Sequence, residues 1–185
     1  MVGNNPIIWW DYLGLRIASI KNKAWIYVKW DDCNTNSWWV SNIKELAAKL
    51  KENANGRKIC YIEIEDHGWH IGEDTPDLDE KGGMTEEGMN KFIKDLVSAL
   101  DGHMKDTSKC HLDGCETSGN DNTYYDREHR STEAGRLSIA LLGEYMGNIG
   151  NVQGSKITGP LFDAEHPLKM APNRKRTYKG GKEIK

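Results

Sequence analysis

Several features that mark export, membrane insertion or disulfide stabilisation are absent from this sequence. No apolar run in its 185 residues approaches the length of a membrane span, and the N-terminal residues lack the charged and then apolar pattern of an export signal. Only four cysteines occur, and their uneven spacing predicts reduced thiols rather than a disulfide framework. We therefore expect a soluble protein with no membrane partner. Its delivery to another compartment would depend on a signal or carrier outside these residues.

The charge and the spacing of ligand-type residues argue against two further classes. The formal net charge of −3 gives the chain no overall positive field, so we expect no nucleic-acid partner. No Cys-x-x-Cys or His-x-x-x-His spacing is present to anchor zinc. The scattered residues that offer zinc ligands are Cys110, His111, Cys115, His67, His70 and His103. The sequence therefore predicts no metal and no cofactor.

An acidic stretch in the middle of the chain raises the question of calcium. Asp77 and Asp79 begin a run in which Gly82 occupies the sixth place of a calcium-binding loop. Gly88 stands where such a loop needs its bidentate glutamate, which excludes an EF-hand. A looser calcium site, and with it activation by calcium, stays an alternative.

The hydrophobic pattern predicts one α/β domain. Residues Ala24–Trp30 and the stretch from Lys58 to His67 predict two strands, and a helix between them makes these strands neighbours in a parallel crossover. Two further strands are expected, one before Cys115 and one at 152–158. The apolar residues that predict three helices are Trp39, Ile43, Leu46 and Leu50, then Met89, Phe92, Ile93, Leu96 and Leu100, then Leu137, Leu141, Leu142 and Tyr145. The expected fold class is a three-layer α/β sandwich with a mostly parallel sheet.

Two of the predicted strands end on residues that carry chemistry. The first ends at His67 followed by Gly68, and the other runs into a glycine-flanked turn with Cys115 at its apex. Parallel strands of one sheet have their carboxyl ends at the same edge, so the imidazole and the thiol can meet there. This arrangement predicts a Cys115–His67 catalytic dyad.

The residues of the dyad and those beside them have chemical roles that a cysteine nucleophile requires. A free thiol is mostly protonated at neutral pH, and His67 is the base that would raise its thiolate fraction. The turn at Cys115 is expected to expose backbone N–H groups, and together with the N–H of Gly68 these are candidates for holding the oxyanion of a tetrahedral intermediate. Asp113 lies two residues before Cys115, on the same side of an extended chain, and is a candidate wall of a specificity pocket. Its alternative role is to cap the following turn.

These two motifs resemble those of the caspase-like cysteine peptidases of the caspase-hemoglobinase fold. The stretch Cys115-Glu116-Thr117 is similar to the CHAT branch, and Asp113-Gly114-Cys115 is similar to the Asp-x-Cys of metacaspases. The resemblance spans roughly residues 24–160. It implies His67 as general base, Cys115 as nucleophile, the N–H groups of Gly68 and Cys115 as oxyanion donors, and an Asp113 pocket that accepts Arg or Lys.

The first fifteen residues carry a second resemblance. Val2-Gly3-Asn4-Asn5-Pro6 followed by Asp11-Tyr12-Leu13-Gly14-Leu15 is similar to the segment that closes the core of RHS/YD-repeat proteins, the large shells that carry variable C-terminal toxins. The usual motif has proline where this chain has Tyr12, which leaves self-cleavage at this junction open. The expected organisation is an RHS remnant over 1–15, a peptidase domain over 16–165 and a basic, mobile tail over 166–185.

Together these observations predict a cysteine endopeptidase that is the toxin domain of an RHS-repeat protein. Its expected partners are a protein substrate cut after Arg or Lys, the RHS shell upstream and an immunity protein, and its expected location is the cytoplasm of a recipient cell. Ten carboxylates against one lysine between Glu63 and Glu87 suit a basic substrate and would repel phosphates. The alternatives are a nuclease-type RHS toxin tip and a catalytically silent caspase-like interaction module.

Overall fold

The computed structural model describes residues 23–65, 86–114, 117–118, 132–149 and 175–184. Within these ranges the chain forms an α/β fold of seven strands and three helices. In chain order they are β1 (Ala24–Trp30), β2 (Thr35–Val40), α1 (Ile43–Ala54), β3 (Ile59–Glu65), α2 (Glu86–Leu100), β4 (Lys109–Asp113), α3 (Glu133–Ala140), β5 (Glu144–Asn148), β6 (Lys175–Lys179) and β7 (Lys182–Ile184). No described helix is both long enough and apolar enough to cross a membrane.

The sheet is mixed, with the strand order β2-β1-β3-β4-β5-β6-β7. The pairs β3–β4 and β4–β5 are parallel, and the other four described pairs are antiparallel. The α/β class is therefore confirmed, whereas the prediction of a mostly parallel sheet is wrong for the described strands. The two parallel pairs nevertheless lie at the centre of the sheet. The sequence predicts the catalytic residues after the carboxyl ends of β3 and β4, which are two of these central strands.

The antiparallel start of the sheet comes from a strand that the sequence pattern hides. Trp39, predicted to lie on the first helix, belongs to β2, which pairs with β1 after a tight turn. Cys33 adopts a φ of 68° in this turn, and the Trp30 N–H donates to the Asn34 carbonyl at 2.9 Å. Because β2 and β3 both run antiparallel to β1, α1 connects two strands of the same direction across β1. The predicted neighbours β1 and β3 are therefore adjacent but antiparallel.

The three helices share one apolar core with one face of the sheet. In α1 the Asn42 side chain accepts a hydrogen bond from the Glu45 N–H, and the Ser41 N–H donates to Glu45, so the first turn is capped in both directions. The core cluster includes the predicted apolar face of α2 and alternate residues of the central strands. These members are Met89, Phe92, Ile93, Leu96 and Leu100 with Ile26, Val28, Ile62, Ile64, Cys110, Leu112 and Tyr145. The described helices therefore cover one face of the sheet.

The C-terminal residues form an edge hairpin where the sequence predicts a mobile tail. β6 pairs antiparallel with β5 and then with β7, and Tyr178 is fully buried in the core. Gly180 and Gly181, both at positive φ, form the two-residue turn that a tight hairpin requires. The tail prediction thus fails over 175–184 because one buried tyrosine and a Gly-Gly turn outweigh the basic composition.

The third helix also differs from its prediction. α3 ends at Ala140, and Tyr145 lies on β5 rather than on the helix. Leu141 and Leu142 form the link between the two elements, and Leu142 is exposed. The strand predicted over residues 152–158 lies outside the described residues.

Candidate functional site

The register of the central strands fixes the positions of the two strand ends that precede the predicted catalytic residues. β3 and β4 are parallel neighbours, with Glu63 opposite His111 and Glu65 opposite Asp113. Asp113 is therefore at the carboxyl end of β4, as predicted. The predicted residues His67, Gly68 and Cys115 lie outside the described residues. In sequence, His67 follows the last residue of β3 by two positions, and Cys115 follows the last residue of β4 by two.

A buried polar cluster lies on the sheet face opposite the core. Cys110 and Leu112 point into the core, so His111 and Asp113 point to the other face, next to Glu63 of β3. His111 is 2% exposed, Glu63 5% and Asp113 7%. We call Glu63, His111 and Asp113 the acid–histidine cluster. Burial of three such groups is costly unless charge or hydrogen bonds compensate for lost water, which makes the cluster a candidate functional feature.

The His111 ring lies between the two carboxylates of this cluster. Its Nδ1 is 3.6 Å from Glu63 Oε1, and its Nε2 is 3.8 Å from Asp113 Oδ1. Both separations exceed the usual length of an N–H···O hydrogen bond. His111 Nε2 has no hydrogen-bond partner among the described residues although it is buried. The ring is thus placed by its neighbours without being hydrogen-bonded through Nε2.

Tyr61 holds the Glu63 side of the cluster. Its hydroxyl donates a hydrogen bond to Glu63 Oε2 at 3.0 Å. Burial raises the pKa of the Tyr61 phenol, and the adjacent Glu63 carboxylate raises it further. The phenol therefore stays protonated near neutral pH and remains a donor to Glu63.

Asn148 ties the other side of the cluster to the segment after β4. Its Nδ2 donates to Asp113 Oδ1 at 2.8 Å and to the Gly114 carbonyl at 3.0 Å. Its backbone N–H donates to Thr117 Oγ1 at 2.9 Å, and its carbonyl accepts from the Ser118 N–H at 2.9 Å. Asn148 is fully buried. One residue of β5 thus binds the chain both before and after position 115.

Thr117 and Ser118 are held by further contacts. The Thr117 hydroxyl donates to the Leu112 carbonyl at 2.8 Å, and its own carbonyl accepts from the Ala134 N–H at the start of α3. The Ser118 hydroxyl donates to the Arg176 carbonyl of β6 at 3.3 Å. Elements α3, β4, β5 and β6 therefore all hold these two residues.

Gly147 leaves the space that this packing needs. A Cβ at this position would lie 2.4 Å from Ser118 Oγ and 2.7 Å from the Thr117 carbonyl carbon. Both separations are shorter than real Cβ contacts, so the neighbouring segment would have to move. The glycine permits close approach of two backbones rather than an unusual φ.

We expect Gly147→Ala to lower the free energy of unfolding by about 1–3 kcal/mol, the usual cost of overpacking. Urea denaturation measures the change. The double variant Gly147→Ala with Ser118→Gly should recover part of the loss, because it removes the closest contact. A single variant as stable as the unmodified chain would contradict this packing.

The fold places Cys110, His111 and His103, the described residues among the scattered zinc-ligand candidates, far from one another or on opposite faces of the sheet. Cys110 and His111 are neighbours in sequence but point to opposite faces of β4, and burial raises the pKa of the Cys110 thiol. The His103 carbonyl accepts from the Ile59 N–H, which places His103 at the opposite edge of the sheet. These three residues therefore do not form one site. Of the described cysteines, Cys33, Cys60 and Cys110 are free thiols, as predicted.

Sequence reasoning missed Glu63 and Asn148. The alternation Ile62-Glu63-Ile64-Glu65 in a central strand was a usable signal, because it puts two carboxylates on a face that a three-layer fold would bury. Asn148 had no comparable signal, since Tyr145, which lies on β5, was predicted to belong to the third helix.

Comparison with protein-family models, curated proteins and solved structures finds no match for this chain. What the site can do is therefore argued from its own geometry. At this level the molecule is a mixed α/β protein with a parallel centre. A buried acid–histidine cluster lies on the face of β3 and β4 that is opposite the core.

Proposed function

We propose that this chain is a caspase-like cysteine endopeptidase in which Cys115 is the nucleophile and His67 the general base. The observation that carries the proposal is the parallel register of β3 and β4, which sets Glu65 opposite Asp113. In sequence, His67 follows Glu65 by two residues and Cys115 follows Asp113 by two. Equal extensions from an in-register pair favour a meeting of the two side chains at one sheet edge.

The proposed reaction uses residues of this chain and no cofactor. His67 takes the proton of the Cys115 thiol, and the thiolate attacks the carbonyl carbon of the scissile bond. The backbone N–H groups of Gly68 and Cys115 donate to the resulting oxyanion. The proton then passes from His67 to the leaving amine as the C–N bond breaks, and water hydrolyses the thioester that remains.

The contacts of Asn148, Thr117 and Ser118 support this assignment. A nucleophile has to be held within a fraction of an ångström of its productive position, and a turn fixed on both sides provides such rigidity. Gly114 and Thr117 flank positions 115 and 116 and are each bonded to Asn148. Such dense anchoring on both sides of position 115 is what a catalytic residue at that position needs.

Asp113 is the proposed specificity residue, accepting Arg or Lys before the scissile bond. Its carboxylate is buried at the carboxyl end of β4, where a cationic side chain would meet low dielectric and strong attraction. Asn148 orients one oxygen of this carboxylate. The acidic stretch between Glu63 and Glu87 adds charge of the same sign in sequence.

Hydrolysis of fluorogenic peptides ending in Arg, Lys or Asp tests this function. We expect cleavage after Arg and Lys, and the same assay with and without added calcium tests activation by that ion. In Asp113→Asn, kcat/KM for the basic peptides should fall by about 100-fold, because an ion pair is replaced by a neutral contact. Cleavage only after Asp would keep the peptidase and discard the pocket, whereas silence on every peptide would contradict the peptidase.

The wider setting is part of the proposal. The similarity of residues 1–15 to the closing segment of an RHS core supports a C-terminal toxin domain carried by an RHS shell. Its target would be a protein in the cytoplasm of a recipient cell, and the producing cell would need an immunity protein. We also propose that the complete domain is a three-layer sandwich. Toxicity on expression in the cytoplasm of a bacterium, lost in Cys115→Ala, is the matching cellular result.

A further inference from the structure

We infer that the acid–histidine cluster is a binding site for a divalent transition-metal ion, ligated by Glu63, His111 and Asp113. One ligand atom from each residue lies within 4.8 Å of the other two. The three side chains come from two neighbouring parallel strands and share one face of the sheet. Rigid strands thus bring the donors together without help from a loop.

Two buried polar atoms at this place remain without partners. His111 Nε2 and Asn148 Oδ1 have no hydrogen-bond partner among the described residues. His111 is 2% exposed and Asn148 0%, so both atoms are shielded from solvent. Buried polar atoms are rarely left unpaired, and Nε2 points toward the Asp113 carboxylate. An ion bound between these groups satisfies the histidine nitrogen.

The separation of His111 Nε2 and Asp113 Oδ1 fits shared coordination of an ion better than a hydrogen bond. His111 Nε2 and Asp113 Oδ1 are 3.8 Å apart, too far for an N–H···O bond. Two ligands that each lie about 2.1 Å from a tetrahedral ion are about 3.4 Å apart, so a small side-chain rotation produces that separation. The Tyr61 hydroxyl and the Asn148 amide each donate a hydrogen bond to one of the two carboxylates and orient it, as groups behind metal ligands do.

The donor set selects a class of ion. One imidazole with two carboxylates suits Zn²⁺ or Mn²⁺, whereas Ca²⁺ and Mg²⁺ prefer oxygen ligands alone. Two carboxylates and a neutral imidazole carry a net charge that a divalent ion balances. The site therefore differs from the calcium loop considered for the acidic stretch.

The site shares Asp113 with the proposed specificity pocket. A bound cation would weaken the attraction of this carboxylate for a basic substrate side chain, and would act as an inhibitor of cleavage after Arg or Lys. This consequence depends on the proposed function, whereas the binding itself does not.

Zn²⁺ binding to the full chain carrying Cys33→Ser and Cys115→Ala tests the inference. These substitutions remove an exposed thiol and the proposed nucleophile, so failure of the peptidase proposal cannot affect the result. Competition with a colorimetric chelator should show one Zn²⁺ per chain. The affinity should fall at least about 100-fold in His111→Gln and in Glu63→Gln, but remain unchanged in His103→Gln, a histidine at the opposite edge.

Two further measurements make the test decisive. If His111→Gln does not fold, Glu63→Gln and the visible spectrum of the Co²⁺-loaded parent report the site, and that spectrum should lack a thiolate band. Ca²⁺ in tenfold excess should not displace Zn²⁺. The absence of stoichiometric binding in the parent, or equal affinity in the parent and both cluster variants, would overturn the inference.

Discussion

In Cys115→Ala, kcat/KM for hydrolysis of Arg and Lys peptides should fall by at least about 10³-fold, or about 4 kcal/mol of transition-state stabilisation. The physical reason is that no other group in the proposed site forms the acyl intermediate. His67→Ala should cause a loss of similar size, because the thiol is then mostly protonated at neutral pH.

The two catalytic residues are also expected to act as a unit. The double variant lacking both side chains should be no less active than either single variant, which is the pattern of catalytic groups that share one step. Cys33→Ser, which removes an exposed free thiol, is the matched control and should keep full activity. Peptide hydrolysis that survives in Cys115→Ala would contradict the dyad, and toxicity that survives in it would favour the nuclease alternative.

In Asn148→Asp, we expect a loss of about 3–5 kcal/mol in the free energy of unfolding, measured at neutral pH with a chelator present. The substitution changes shape little, but it replaces the donor that lies 2.8 Å from Asp113 Oδ1 with a second carboxylate oxygen. Two buried carboxylates then face each other, and the Gly114 carbonyl also loses its donor.

The same variant separates general stability from positioning of the segment after β4. Asn90→Asp makes the identical chemical change at an exposed position beside Arg136 and should be close to neutral. Asn148→Ala should be milder than Asn148→Asp, because it removes the hydrogen bonds without adding charge. A stability for Asn148→Asp equal to that of Asn90→Asp would show that the Asn148 contacts contribute little.

Helix α2 shows what the sequence predicts well. Its five apolar positions follow helical spacing and all five are buried, so the period alone identifies both the element and its core face. The central strand β3 was predicted for the same reason, since β-branched residues dominate its core face. Local pattern was sufficient where one element has one consistent period.

The two ends of the sheet show where local pattern fails. Trp39 of β2 fits a helical spacing with Ile43 as readily as it fits a strand, and only pairing with β1 decides between the two structures. In β6 a single buried residue, Tyr178, stands among lysines and an arginine, so composition favours an exposed tail. Non-local pairing overrides composition in both cases.

The sequence predicts the strand end at which Asp113 lies, but it does not predict the residues that contact this strand end. Asp113 was expected at a strand end because Asp-Gly follows an apolar run, and it lies there. The link from Asn148 to Gly114 joins residues 34 positions apart through a side chain on another strand. No local signal in one sequence reveals such a partner, which is why the anchoring of this segment became visible only in the structure.

Covalent labelling with an arginine-containing peptide probe that traps active-site thiols tests the central claim most directly. Digestion and mass spectrometry then locate the modified cysteine. We expect stoichiometric modification of Cys115, unchanged in Cys33→Ser and at least about 100-fold slower in His67→Ala, because the thiolate fraction falls when its base is removed. Modification of Cys33 in place of Cys115, or labelling of Cys115 at an equal rate without His67, would contradict the proposed dyad.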